Sequence, residues 1–422
     1  MSERLRILMY SPDSIGLGHM RRNSTIASEL VRQAPGSSIA LLVGSGAGAF
    51  FAAPKGIDTI KLPSVQKVAA DKWVPRSLNL SVGQTSSLRA GIIRNVVATL
   101  KPDLFLIDHM PMGVCGDLVP ALEMIREQGM GTRVVLGIRD ILDEPAIIRR
   151  RWAQLGYYEF IARHYHAVLA YGDESVFPTA KRYGLGDIID DGVVYTGYVC
   201  DSVRAGESSS EGAAATRSLE GLSAWTQGER IVIASGGGGH DAFPMLSATV
   251  QALRLLDGEK DLRSVVIAGP LMPELDRKKL EVLARGLERT RLVPWTADCM
   301  PYFAKADVSV VMGGYNSTLE ALSTTARVIM MPRSGPSAEQ SIRAGMLAAS
   351  GHLMAFDPTS TPPQTLAAAI REASLAPARK PIAAMFDGAA HAARALIRQC
   401  VRRPAGRLEH DVHQERSRYA IF

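Results

Sequence analysis

Along its 422 residues the chain twice alternates short apolar runs with amphipathic segments, a pattern few folds accommodate. In the first pass "RLRILMY" (4–10), "SIALLVG" (38–44), "DLFLID" (103–108), "TRVVLGIRD" (132–140) and "HAVLAYG" (166–172) read as strands. Between them "HMRRNSTIASELVRQA" (19–34) puts Ile26, Leu30 and Val31 on one helical face, and "LRAGIIRNVVATLKP" (88–102) is helical up to its Lys-Pro stop. Strands that are apolar throughout and separated by helices belong to a parallel sheet covered on both faces. The stretch 205–229 is small, polar and strand-free, which reads as a linker. The alternation then restarts. "RIVIASG" (230–236), "LRSVVIAG" (262–269), "TRLVPW" (290–295), "ADVSVVM" (306–312) and "ARVIMMP" (326–332) read as strands, with helices over 243–256 and 274–287. The pattern predicts an α/β chain of two Rossmann-like parallel-sheet domains, 1–204 and 230–395. A helix end and a charged, weakly apolar tail follow over 396–422.

Composition excludes several classes. The four cysteines, Cys115, Cys200, Cys299 and Cys400, are scattered without a C-x-x-C pair, against a zinc ribbon or a disulfide framework and in keeping with a reducing cytoplasm. The apolar run at the N-terminus is too short for a signal peptide, and no stretch of about 18 apolar residues occurs. The net charge of +6 suits an anionic ligand. Basic residues show no interleaving with aromatics, so no nucleic-acid partner is expected. The basic cluster "RRNS" (21–24) and the tail "RQCVRRPAGR" (398–407) raise peripheral contact with an anionic membrane as an expectation.

Three glycine-bearing turns follow strands. The first, "SIGLGHMRR" (14–22), holds Gly16 and Gly18 ahead of His19 at a helix start. A dinucleotide fingerprint would need a third glycine where Arg21 stands. A titratable ring at the end of a first strand lies where α/β ligand crevices form, so His19 is the candidate base. Asp108 and His109, ending the third strand, are the alternatives. The second turn, "SGGGGHDAF" (235–243), spends four glycines, more than a hairpin needs, and Gly237, Gly238 and Gly239 are assigned to phosphate approach. His240 and Asp241 are expected to cap the following helix. The third, "GGYNSTLEAL" (313–322), brings Gly313 and Gly314 to a helix whose first turn carries Asn316, Ser317 and Thr318. Backbone N–H groups and hydroxyls there can cradle a diphosphate. Glu320 can bind a vicinal diol, or it is simply a capping-box partner of Ser317 or Thr318. The chain has no D-x-D run to hold a nucleotide-bound metal, so no metal and no cofactor is expected. His164 and His166 form a lone H-x-H, read as structural.

These two domains, with "GLGH" (16–19) and "GGYNSTLEAL…PRSGPSAEQ" (313–340), resemble GT-B glycosyltransferases, most closely glycosyltransferase family 28, which includes the lipid-linked N-acetylglucosaminyltransferase of peptidoglycan synthesis. A bacterial group of predicted glycosyltransferases shares the "DSIGLGHMRRN" and "GGYN" forms. The resemblance implies a cleft between the domains with the donor on the second. It implies that Trp295 and Thr296 hold uracil, 313–318 the diphosphate and Glu320 the ribose, and that Glu339 and Gln340 read the sugar. The first loop is poorer in glycine than is usual for the family, and "DHMPMG" (108–113) replaces its second glycine loop, which separates this chain from the peptidoglycan enzyme. The implied activity is metal-independent, inverting transfer of a hexose or N-acetylhexosamine from a UDP-sugar to an unidentified acceptor, a glycan, a lipid-linked molecule or a small molecule. The alternatives are a UDP-N-acetylhexosamine 2-epimerase, a UDP-sugar hydrolase, or a non-catalytic sugar-nucleotide-binding subunit.

Overall fold

Each alternation closes into its own parallel sheet. The computed structural model describes residues 4–12, 18–44, 56–69, 72–186, 188–189, 192–200, 228–296, 298–379 and 386–401. Gly16, most of the 205–229 linker and the tail beyond 401 lie outside them.

The first sheet contains β1 (Arg6–Ser11), β2 (Ser38–Val43), β3 (Ile57–Lys61), β6 (Leu104–Asp108), β7 (Arg133–Arg139), β8 (Ala167–Tyr171) and β9 (Val193–Tyr195). A small antiparallel hairpin, β4 (Val65–Ala69) and β5 (Lys72–Pro75), stands apart. The second sheet contains β10 (Arg230–Ser235), β11 (Leu262–Ile267), β12 (Thr290–Val293), β13 (Val308–Val311), β14 (Arg327–Met330) and β15 (Met354–Ala355). The first domain carries the helices α1 (Gly18–Gln33), α2 (Val82–Leu100), α3 (Val119–Glu127), α4 (Pro145–Gln154), α5 (Tyr157–His164) and α6 (Thr179–Tyr183). The second carries α7 (Phe243–Leu256), α8 (Glu274–Ala284), α9 (Met300–Phe303), α10 (Tyr315–Leu322), α11 (Glu339–Ala349) and α12 (Pro363–Leu375), and α13 (Gly388–Val401) closes the chain.

Strand order is β3-β2-β1-β6-β7-β8-β9 in the first sheet and β12-β11-β10-β13-β14-β15 in the second. In each, the chain leaves a central strand in one direction and later returns to its other side. The order therefore reverses between β1 and β6, and between β10 and β13. Ligand crevices of doubly wound sheets open at such switch points, outside the carboxyl ends of the strands. The turn bearing His19 follows β1, and Asp108 ends β6. The glycine run 236–239 follows β10, and Gly313-Gly314 follows β13.

Both faces of each sheet are buried, as apolar strands require. On β1, Ile7 and Met9 pack to one side and Leu8 and Tyr10 to the other. The core on one face of the first sheet is continuous with that of the second through Tyr171, Tyr198, Val199 and Tyr315. α13 packs on α1 of the first domain, with Gln33 Nε2 donating to Ala390 O at 3.1 Å and Arg133 Nη2 to Gln399 Oε1 at 2.8 Å. The terminal helix thus crosses back, and the expected boundary at 395 cuts through it. The helix expected to begin at 88 starts one and a half turns earlier, because Ser81 and Gln84 form a reciprocal capping box. No helix among the described residues is long and apolar enough to cross a membrane.

Candidate functional site

The tyrosine of "GGYNST" binds the two domains together. Its hydroxyl donates to Tyr171 O at 3.0 Å and accepts from Val199 N at 3.1 Å. That fixes the start of α10 against the end of β8 and against the crossover between domains.

His19 is the second residue of α1. Its Nδ1 is 3.0 Å from Oδ2 of Asp108, which is fully buried. An ionised carboxylate can only accept, so in the tautomer that bonds to Asp108 the proton is on Nδ1 and the lone pair on Nε2. One turn further along α1, Arg22 Nη2 reaches both oxygens of Asp108 at 2.9 and 2.6 Å and also lies 2.9 Å from His19 Nδ1. Burial alone would raise the pKa of Asp108. The Arg22 guanidinium and His19 outweigh it and hold the carboxyl below the usual carboxylate range. Asp108 is thus a hydrogen-bonded partner of His19. His109, the next residue, adopts a left-handed backbone (φ 70°), a strain of about 1–3 kcal/mol of the kind that gathers at functional sites. Its ring lies 5.1 Å from that of His19, and burial, with His19 and Arg139 nearby, holds it neutral.

Opposite stands the first turn of α10. Gly313 has φ 101°, and a Cβ there would come within 3.0 Å of Met330 Sδ, so only glycine fits. Gly314 is the N-cap residue, and no side chain caps this helix. Ser317 Oγ donates to Gly314 O at 3.3 Å, Thr318 is buried, and Asn316 Nδ2 donates to Gly18 O at 3.4 Å. The helix starts α1 and α10 therefore meet, one from each domain. Glu320 is no capping-box partner: its Oε1 pairs with Arg21 Nη2 at 2.8 Å across the crevice.

The glycine run divides its work. A Cβ on Gly236 or Gly239 would lie 2.7 Å from Ala268 O, so these two are required for packing against the loop after β11. Gly237 faces Ser317 Oγ at 3.8 Å, and Gly238 has Leu271 Cδ1 at 3.7 Å, both with room. The expected cap from His240 and Asp241 does not form. Ala242 is the N-cap of α7, and Asp241 pairs with Arg333. Trp295 is 57% exposed beyond β12, and the Thr296 hydroxyl donates to Asp298 O at 2.8 Å. Glu339 and Gln340 begin α11, both buried. Glu339 Oε1 accepts from Arg139 Nη1 at 2.7 Å and Arg343 Nη2 at 3.0 Å, which keep its carboxyl below the usual range against the cost of burial. Gln340 Oε1 accepts from Arg333 N at 3.1 Å.

One expectation changes. Arg21 and Arg22 of the basic cluster are not a membrane-facing patch, because one is paired with Glu320 and the other is buried on Asp108. Spacing alone hid them: their partners are hundreds or tens of residues away, and only Asp108 ending a buried strand hinted at a charge in need of a mate. His164 is structural as expected. Burial, with Arg163 and Arg126 close by, pushes it down to about 3, and His166 Nδ1 accepts from Val134 N at 3.0 Å. No group of three or more His, Cys, Asp or Glu side chains among the described residues could hold a metal ion.

No family model and no curated protein matches the sequence. Among solved structures the chain is similar to the glycosyltransferase of kitacinnamycin, at 16% identity over 95% of this chain and 96% of that one, TM-score 0.57. It is similar to Arabidopsis thaliana UGT89C1 complexed with UDP-L-rhamnose, at 13% identity over 95% and 100% of the two chains, TM-score 0.62. It is also similar to Acinetobacter baumannii MurG, at 14% identity over 93% and 99%, TM-score 0.54. At such identities the shared property is the fold: two Rossmann-like domains facing each other in the GT-B arrangement. The plant enzyme superposes at least as well as MurG, so the likeness carries GT-B and does not single out family 28.

Proposed function

We propose that the chain transfers a hexose or N-acetylhexosamine from a UDP-sugar to an acceptor hydroxyl, with inversion and without a metal. The observation that carries this reading is the meeting of two switch points. A histidine oriented by a buried carboxylate stands at the first (3.0 Å), and the uncapped N-terminus of α10 stands at the second, joined through the 3.4 Å contact of Asn316 with Gly18. The similar structures complexed with UDP-L-rhamnose and with UDP-glucose support the donor class.

In this reading His19 Nε2 takes the proton of the acceptor hydroxyl as its oxygen attacks the anomeric carbon. The sugar–phosphate bond breaks on the opposite side, and UDP departs with the electron pair. Asp108 holds the ring in the tautomer that can accept and stabilises the imidazolium formed, while Arg22 keeps Asp108 ionised. Unspent N–H groups of α10, with the Ser317 hydroxyl and the open faces of Gly237 and Gly238, meet the charge developing on the diphosphate. Trp295 offers a stacking face for uracil, Glu320 binds the ribose diol, and Glu339 and Gln340 read the sugar hydroxyls.

The test is incubation with a panel of UDP-hexoses and UDP-N-acetylhexosamines, with and without glycan, lipid-linked and small-molecule acceptors, in excess chelator, followed by mass detection. Acceptor-dependent UDP release with a glycosylated product is expected. Epimerised sugar or fast UDP release without acceptor would instead support the epimerase or hydrolase. UDP binding with no turnover would support a binding subunit. Activity abolished by the chelator and restored by Mg²⁺ would overturn the metal-free leaving-group site.

A further inference from the structure

The crevice between the domains is lined by charges that cancel. Arg22 holds Asp108, Arg343 holds Asp140 and Glu339, Arg139 also holds Glu339, and Arg21 holds Glu320. A nucleotide diphosphate brings negative charge into this balanced set, and one of the cations must answer it if no metal does. The four guanidiniums are not equally available. The side chains of Arg22 and Arg343 are 1% and 2% exposed, and each is bonded to more than one oxygen. Arg139 shares its carboxylate with Arg343. Arg21 has the most exposed side chain of the four, at 28%, and its partner Glu320 is nearly buried. It also lies on the turn of α1 that follows Gly18, whose carbonyl meets Asn316 at the start of α10.

The ribose hydroxyls would compete with the Arg21 guanidinium for the Glu320 carboxylate, so donor binding works against the pair. We infer that Arg21 is a further donor-binding residue, which rests on Glu320 and passes to the diphosphate when Glu320 turns to the ribose. This deepens the UDP-sugar reading and rests on it. The exchange leaves no bare charge at either end. A carboxylate–guanidinium pair is replaced by a phosphate–guanidinium pair, and Glu320 gains two hydroxyl donors. Arg21 would then supply, beside the helix dipole of α10, the positive charge that a metal supplies elsewhere. The nucleoside and the phosphates become coupled through one side chain, and uridine alone has to displace Arg21 with nothing to offer it in return.

That asymmetry is the test. Uridine and UDP are titrated by calorimetry into the full chain and into Arg21→Gln and Arg21→Lys, each first checked for an unchanged unfolding temperature. In Arg21→Gln uridine is expected to bind as well as in the wild type or several-fold better, because Glu320 is no longer contested. UDP should bind more weakly, so that the preference for UDP over uridine falls about tenfold or more. Arg21→Lys should keep most of that preference. Raising salt should erode the preference in the wild type and leave Arg21→Gln flat. An unchanged preference in Arg21→Gln overturns the inference, whether uridine binding stays or weakens, and the second case reduces Arg21 to a support for Glu320. A wild-type chain that binds neither ligand overturns the UDP-sugar reading, and this inference with it.

Discussion

At the scale of single residues the candidate chemistry depends on one hydrogen bond, from His19 Nδ1 to Asp108 at 3.0 Å. His19→Ala removes the base and should lower kcat by about 10²–10⁴-fold. Asp108→Asn can offer its amide N–H to Nδ1, which favours the wrong tautomer, and should cost a similar factor. UDP affinity should change little in either, since neither side chain is assigned a contact with the nucleotide. Because the two residues act as a unit, the double variant should be hardly slower than the slower single one. Losses that multiply would show independent roles and undo the pairing as a catalytic device. His19 was legible in the sequence from its place after a strand and two glycines. Its neighbours Arg21 and Arg22 were not. A charge pair between α1 and β6, or between α1 and α10, leaves no trace in local periodicity, and two adjacent arginines at a helix start read as solvated surface. Glu320 shows the same limit, because its capping-box spacing was a local signal that a tertiary ion pair overrode.

At the scale of elements the informative case is the glycine run after β10. Four glycines in a row signalled close approach, and the structure divides that signal in two. Gly236 and Gly239 admit the backbone of the loop after β11, whereas Gly237 faces Ser317 of α10 and Gly238 has room beside Leu271. Gly239→Ala would place a Cβ 2.7 Å from Ala268 O on a residue with φ +91°, and should lower stability by about 2–4 kcal/mol. Gly238→Ala meets only Leu271 Cδ1 at 3.7 Å and should leave the unfolding temperature unchanged. On the proposed function its methyl enters the phosphate space and should weaken UDP binding about tenfold. Thermal unfolding and calorimetric titration of both variants check this contrast. Equal stability losses in the two would mean that the run is packing throughout. The central strands were legible because they are buried on both faces and therefore apolar without interruption. β3 (IDTIK), the three-residue β9 and the two-residue β15 were not, since edge strands carry polar residues or are too short to show a period. The destination of α13 was equally hidden: an amphipathic face says that a helix packs, not on which sheet.

At the scale of the whole molecule, the proposed function requires the two switch points to stay opposed, and a charged interface with one aromatic peg holds them there. The Tyr315 ring lies between the guanidiniums of Arg22, at 5.4 Å, and Arg343, at 5.6 Å, while its hydroxyl ties β8 to the crossover. Arg343 is the joint. It bonds Asp140 of the first domain, and Glu339 and the Gly313 carbonyl of the second. The two-domain pattern was plain in the sequence, but this closure was not, because Asp140, Glu339 and Arg343 each looked like ordinary helix or loop charges. Arg343→Ala would leave Asp140 without its guanidinium and Glu339 with Arg139 alone. Breaking a buried pair in this way costs about 3–5 kcal/mol. Each sheet keeps a second face packed within its own domain, so the cost should fall on the joint and not on either domain. The radius of gyration in solution should rise above the wild-type value, for which a compact chain of this length gives about 22 Å. Calorimetry should show one unfolding transition become two. The wild-type closure should itself depend on pH in a defined sense. Glu339, which bridges the domains through Arg139, has a folded pKa below its unfolded one, so its contribution is complete above the usual carboxylate range of about 4 and is lost as pH falls through the folded value. The wild-type radius should therefore hold steady from neutral pH down to about 5 and grow only in stronger acid. A variant as compact as the wild type, still unfolding in one step, would show that the domains are held by Tyr315 and the shared apolar core, with the ion pairs adding nothing.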